Sequence, residues 1–122
     1  MAFYTIEQLE DRILCEYEDG IITEKKLDEC QVWLGKMVED ILKDFLNQEM
    51  PENYSPVYLG DGAWEHTNGG YISACVTTEV APHFFPYPWR YKAEIWLGKY
   101  EYEEKVFNRF IDAHQWLSKQ RK

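Results

Sequence analysis

Residues 89–117, WRYKAEIWLGKYEYEEKVFNRFIDAHQWL, constrain the fold more than any other stretch of the chain. From 89 to 97 the side chains alternate, with Trp89, Tyr91, Ala93, Ile95 and Leu97 on one face and Arg90, Lys92, Glu94 and Trp96 on the other. A period of two belongs to a strand buried on one side. Leu97-Gly98-Lys99-Tyr100 is a short reversal containing glycine, so residues 100–107 return as an antiparallel partner. The Glu and Lys residues at 101–105 also suit a helix, but Asn108 is the better N-cap and strand is the preferred reading. Beyond the cap, Phe110, Ile111, His114 and Leu117 recur at helical spacing, with Trp116 on the flank. A sheet face and a helix stripe that are adjacent in sequence can cover each other.

Two helices precede this unit. Thr5 followed by Gln8 has capping-box spacing, Tyr4 can staple onto Leu9, and Ile6, Leu9, Ile13 and Tyr17 line one side up to a stop at Gly20. Thr23 caps a second helix running to about Asn47, with Ile22 placed to staple onto Leu27. Its broad apolar stripe is Leu27, Cys30, Leu34, Met37, Val38, Ile41 and Phe45, widened by Trp33 and Leu42. Acidic rows occupy the other sides: Glu7, Asp11 and Glu18 on the first helix, and Asp28, Glu29, Glu39, Asp40 and Asp44 on the second. Asp19-Gly20 between the helices is similar to the middle of a calcium loop. That register would place Cys15, Tyr17 and Lys26 where calcium needs oxygen ligands, so a plain turn is expected.

After a connector at 50–54, short strands are expected at 55–59 and 63–66, around the Gly60-Asp61-Gly62 turn. Thr67-Asn68-Gly69-Gly70 is a hairpin signal, and the β-branched run at 71–79 is a further strand. Pro82, Pro86 and Pro88 bracket Phe84 and Phe85 in what reads as an ordered loop, since proline removes donors and fixes φ. The fold class is therefore α+β. One domain, 1–122, comprises an acidic helical hairpin (1–49), an antiparallel meander of four to five short strands (55–107) and a C-terminal helix (108–120) packed on the sheet.

Charge separates these parts. Residues 1–52 hold fourteen Asp or Glu against five Lys or Arg, whereas 53–122 hold eight of each, so the formal charge of -9 lies entirely in the first part. Such a surface disfavours direct nucleic-acid binding and anionic membranes, because neutralising phosphates takes Lys and Arg. It also argues against reading the two helices as a DNA-binding helix-turn-helix. Three cysteines without a C-x-x-C pair, no opening apolar signal segment and no apolar run of about 20 residues point to a reduced, cytoplasmic protein.

Catalytic patterns are sparse. His66, His83 and His114 have no metal-ligand spacing, no G-x-S-x-G elbow is present, and the glycine-rich 60–70 segment lacks the ending of a phosphate loop. His114 is expected to be a core or edge histidine satisfied by one hydrogen bond, and no cofactor or metal is expected. Acids at i, i+4 spacing, about 5–6 Å apart, approximate the spacing of phosphates and can occupy a basic groove on another protein. The expected contact residues are Glu7, Asp11, Glu18, Asp28, Glu39, Asp40 and Asp44, with Phe84, Phe85 and Trp96 as apolar anchors. In composition the chain resembles phage- or plasmid-encoded inhibitors of defence nucleases and toxin-neutralising immunity proteins. The expected partner is accordingly a basic, nucleic-acid-binding protein. The alternatives are a nucleic-acid-binding domain using the outward strand face, and an enzyme or small-ligand binder with a pocket beside the Pro-aromatic loop and a role for His66 or His83.

YKAEIWLG at 91–98, followed by Phe107, Asp112-Ala113 and Trp116, resembles the small sheet-plus-helix domains of the integrase arm-binding type. The resemblance covers about a quarter of the chain and implies a DNA-reading surface made by Arg90, Lys92 and Trp96. Glu94 interrupts that surface, and Arg109 stands where the pattern has a small hydroxyl residue.

Overall fold

A computed structural model describes residues 3–51, 54–77 and 89–120. The elements run β1 (Phe3–Thr5), α1 (Ile6–Glu18), α2 (Glu24–Asn47), β2 (Val57–Gly60), β3 (Ala63–Glu65), β4 (Tyr71–Thr77), β5 (Arg90–Trp96), β6 (Tyr102–Phe107) and α3 (Phe110–Ser118). Five strands form an antiparallel meander, β2-β3-β4-β5-β6. The run at 102–107 is thus a strand, pairing Trp96 with Tyr102 and Tyr91 with Phe107. β1, which the sequence pattern did not announce, pairs Phe3, Tyr4 and Thr5 with Thr77, Val76 and Cys75 of β4. β3 pairs with the other end of β4, at Tyr71 to Ser73, and β5 pairs with 71–75. A strand has only two edges, so β1 and β3 share one edge of β4 in tandem, and β4 is the centre of the sheet.

The helix ends follow local chemistry. Gln8 N–H donates to Thr5 Oγ1 at 3.3 Å and Thr5 N–H to Gln8 Oε1 at 3.0 Å, closing the expected capping box. α1 stops in a Schellman arrangement: Gly20 takes φ 75°, its N–H reaches the Tyr17 carbonyl, and Ile21 N–H reaches that of Glu16 at 2.9 Å. Thr23 Oγ1 accepts from Lys26 N–H and starts α2. The third helix corrects the expectation. Its N-cap is Arg109, not Asn108, and Arg109 offers no capping bond; its guanidinium pairs with Asp112 instead, at 3.2 Å. The first-turn amide of Ile111 is satisfied from afar, by Gln48 Oε1 at 3.1 Å from the end of α2. A cap supplied by a distant side chain removes the need for a local one.

The core lies between the inner sheet face and the helices. Tyr91, Ala93 and Ile95 of β5 are fully buried beside Ile72, Ala74 and Val76 of β4, as the alternation requires. Phe45 of α2 stacks on Trp64 of β3 at 4.9 Å and meets Phe110 of α3 edge-on at 4.7 Å, so three elements lock through aromatic rings. α1 contributes Ile6, Leu9 and Ile13, and α2 contributes Cys30, Leu34, Met37 and Ile41. Helices therefore cover the inner face; on the outer face Ser73 and Cys75 of β4 are buried as well, and the open part is the end where Tyr71 meets β5 and β6. No helix among the described residues is long and apolar enough to cross a membrane.

Candidate interaction surface

On the outer face the strand registers bring distant residues together. Tyr71 lies opposite Glu94, Glu94 opposite Glu104, and Trp96 opposite Tyr102. Tyr71, Trp96 and Tyr102 are exposed, and with Glu94, Ile95 and Gly69 they line a hollow of about 400 Å³. Glu94 also lines a second hollow, about 480 Å³, with Glu7 and Asp11 of α1, Asp61 and Lys92. Asp61 in turn belongs to a third, about 380 Å³, between α1 and α2, where Ile13, Leu14, Leu27, Leu34, Gly35 and Val38 form apolar walls and Glu10 an acidic one. Three hollows thus form one band, joined by a shared carboxylate at each junction.

Asp61 reaches this position through an unusual turn. Gly60, Asp61 and Gly62 all take positive φ, at 97°, 51° and 71°. The two glycines accept that backbone freely and Asp is among the few side chains that tolerate it. A Cβ on Gly62 would lie 3.3 Å from the Ala74 Cβ, a tight contact that adds to the demand its positive φ already makes for glycine. The carboxylates crowd one another here: burial pushes the Glu10 carboxyl above its ordinary range, helped by Asp61, Asp11 and Glu7. On the sheet, Tyr102 Oη lies 2.5 Å from Glu94 Oε2 and 2.8 Å from Glu104 Oε2. Burial pushes the phenol above its usual range, and the two carboxylates add to the shift. Lys92 Nζ sits 3.7 Å from Glu104 Oε2.

The acids expected as contacts divide into groups. Glu7 and Asp11 enter the band, whereas Glu18, Asp28 and Glu39 are exposed on the helices outside its walls and Asp40 is half-buried. Among the described residues none of these six makes an ion pair, while the pairs that do form are Arg12–Glu16, Lys26–Glu29, Lys92–Glu104 and Arg109–Asp112. Asp44 departs from its row. It is half-buried and accepts from Tyr91 Oη at 2.6 Å and Gln48 Nε2 at 2.9 Å, which ties it to the core. Trp96 is 59 % exposed, as an anchor requires. Phe84, Phe85 and His83 lie outside the described residues.

A second polar cluster, inside the molecule, joins the β3–β4 hairpin to α3. Asn68 Oδ1 accepts from Gly70 N–H at 3.0 Å and Asn68 Nδ2 donates to the Leu117 carbonyl at 2.6 Å, so its amide orientation is set twice. Oδ1 therefore takes a proton from His66 Nδ1 at 2.8 Å. The Asn68 backbone N–H, 3.1 Å from the same nitrogen, is the weaker alternative, because using it would turn two lone pairs toward each other. His66 Nε2 is then bare and accepts from His114 Nδ1–H at 2.8 Å. Tyr54 stacks on His114, ring centroids 3.8 Å apart. Burial lowers both imidazoles below the usual histidine range, and His66 lowers His114 further. His114 is satisfied as expected, but by a histidine 48 residues away that local spacing could not reveal.

No group of three or more His, Cys, Asp or Glu among the described residues is placed to hold a metal ion. The chain matches no family model, no curated protein and no solved structure. The likeness of residues 91–116 to arm-binding domains stands on those residues alone.

Proposed function

We propose that the protein is a non-enzymatic interaction module that binds a basic protein and inhibits it stoichiometrically by covering its nucleic-acid-binding surface, in the manner of an anti-defence or toxin-immunity protein. The observation that carries this reading is the continuous band of hollows whose junctions are the carboxylates of Asp61 and Glu94. A basic surface finds charge along the band, apolar walls at the α1–α2 end and aromatic rings at the sheet end, which supply steering and anchoring together. The cytoplasm suits three cysteines that remain thiols. Burial pushes Cys75 up to about 11, and His66 spends both ring nitrogens on internal bonds, so neither is poised as a nucleophile or base. Direct nucleic-acid binding is the weaker reading, because Lys92 is engaged by Glu104 and Glu94 lies beside it on the same face.

The test is capture from a lysate of the native host with the wild-type chain and with a Glu7→Lys/Asp11→Lys double variant, washed at rising salt. One basic protein should be held near one-to-one, should lose its nucleic-acid binding in the complex, and should associate about tenfold more slowly with the double variant. Equal association by the two chains, or retention of nucleic acid alone, would sink the proposal.

A further inference from the structure

Three aromatic side chains from three adjacent strands stand on the solvent side of the sheet: Tyr71, Trp96 and Tyr102, exposed by 41 %, 59 % and 38 %. A single exposed ring needs no explanation, but three around one hollow of about 400 Å³ do. The Trp96 and Tyr102 rings are inclined at 49° with centroids 5.0 Å apart, giving two walls that meet at an angle rather than a closed stack. Glu94 is part of the same lining.

The charges beneath the rings do not balance. Glu94 and Glu104 face each other directly across β5 and β6, and like charges in that position repel. Both carboxylates reach the Tyr102 hydroxyl, at 2.5 and 2.8 Å, yet a phenol has one proton and satisfies one acceptor. Lys92, at 3.7 Å from Glu104, compensates one of the two charges. A negative charge is left among ring faces that are themselves electron-rich.

We infer that this hollow is a cage for an alkylated ammonium group, held against the faces of Trp96, Tyr71 and Tyr102 with Glu94 as counter-ion. The rings discriminate between cations. A primary ammonium keeps its water and is equally well served by any surface carboxylate, whereas a quaternary ammonium is poorly hydrated and buries its methyl groups on aromatic faces. Two sources carry that chemistry, a free small quaternary amine and a methylated lysine side chain of another protein. The inference does not depend on the inhibitor reading, since the cage is complete within the sheet.

Calorimetric titration with tetramethylammonium chloride, N-acetyl-trimethyllysine amide and N-acetyl-lysine amide tests it. The trimethylated lysine should bind about tenfold more tightly than the unmethylated one, Trp96→Ala should remove about that factor, and Glu94→Gln should weaken binding several-fold. The exposure of Trp96 predicts that the variant keeps its fold, checked by circular dichroism, and Tyr71→Ala serves as an independent second variant. Whichever methylated probe binds more tightly assigns the source. The cage is overturned if neither methylated probe saturates, if unmethylated lysine binds as well, or if neither Trp96→Ala nor Tyr71→Ala weakens binding.

Discussion

The β3–β4 hairpin separates two polar clusters that handle their protons in opposite ways. Inward, His114 donates to His66, His66 to Asn68, and Asn68 to the Leu117 carbonyl, a one-way relay of side-chain donors beside a buried Tyr54 hydroxyl that has no partner among the described residues. Outward, Glu94 and Glu104 compete for the single proton of Tyr102. The inner cluster is set into the molecule, with His66 buried, Tyr54 stacked on His114 and inclined at 41° to His66, while the outer one opens on solvent between exposed rings. Polar groups out of water are costly unless paired, so the relay through His114, His66 and Asn68 identifies the inner cluster as a structural fastening. An exposed cluster can carry an unmet demand cheaply, and that demand is what a ligand answers.

The comparison breaks first at Asn68. Asn68→Ala strands Gly70 N–H and unseats His66, while the Leu117 carbonyl keeps the Gln120 N–H at 3.1 Å, and should cost about 3 kcal/mol in urea unfolding, given about 1–3 kcal/mol for each buried polar group left unpaired. Glycine 70 closes the same junction. A Cβ there would fall 2.9 Å from both the Glu94 carbonyl and Leu117 Cδ2, so the hairpin has no slack with which to recover the lost bonds. Were Asn68→Ala to cost under about 1 kcal/mol, no more than an exposed substitution, the inner cluster would not be a fastening.

Acid tests the same contrast with a smaller effect. His66 and His114 titrate below the ordinary histidine range because burial opposes their charge, and they face each other, Tyr54 and Asn68, with no carboxylate among the groups that shift them. In the unfolded chain both take protons at the ordinary pH, so below about 6.5 the unfolded state binds more protons than the folded one. The contribution is complete above that pH and is lost as pH falls through it. Urea midpoints should therefore drop between pH 7.5 and 5.5, a window above most carboxylate titration, and His114→Gln should flatten much of the slope. A wild-type midpoint that stays level across the window would remove the buried pair from the argument.

What could be read from the chain follows the range of each interaction. The Thr5–Gln8 box, the Gly20 stop, the Thr23 cap and the alternation of β5 are set within a few residues, and all were legible. The cap of α3 was misplaced because Gln48 supplies it across 63 residues. Likewise His66 and His114 meet through tertiary packing, and β1 is only three residues long and leans on β4. Helical spacing put Asp44 with the surface acids, but the Tyr91 hydroxyl reaches it from the sheet. For the outer face, alternation exposed Trp96, whereas its company with Tyr71 and Tyr102 required the strand registers. Glu94 shares its strand face with Arg90 and Lys92, as the alternation has it, and faces Glu104 across the sheet, which only the registers show.

The smallest effect sharpens the outer half of the comparison. Glu94→Gln removes one of two like charges facing each other across β5 and β6, and its amide can donate where the carboxylate could only accept. Such cross-strand pairs are worth about 0.2–1 kcal/mol, and exposure keeps the figure near the lower end, so the variant should gain about 0.5 kcal/mol in urea. The gain should shrink in 1 M salt, where screening acts over about 3 Å and the wild-type repulsion is already relieved. A loss of stability, or a gain indifferent to salt, would mean that the carboxylates share a proton or that Lys92 neutralises both. If the gain appears together with weaker binding of trimethyllysine, one residue lowers stability and supports binding. That trade is what distinguishes a charge kept for a ligand from a charge that is merely solvated.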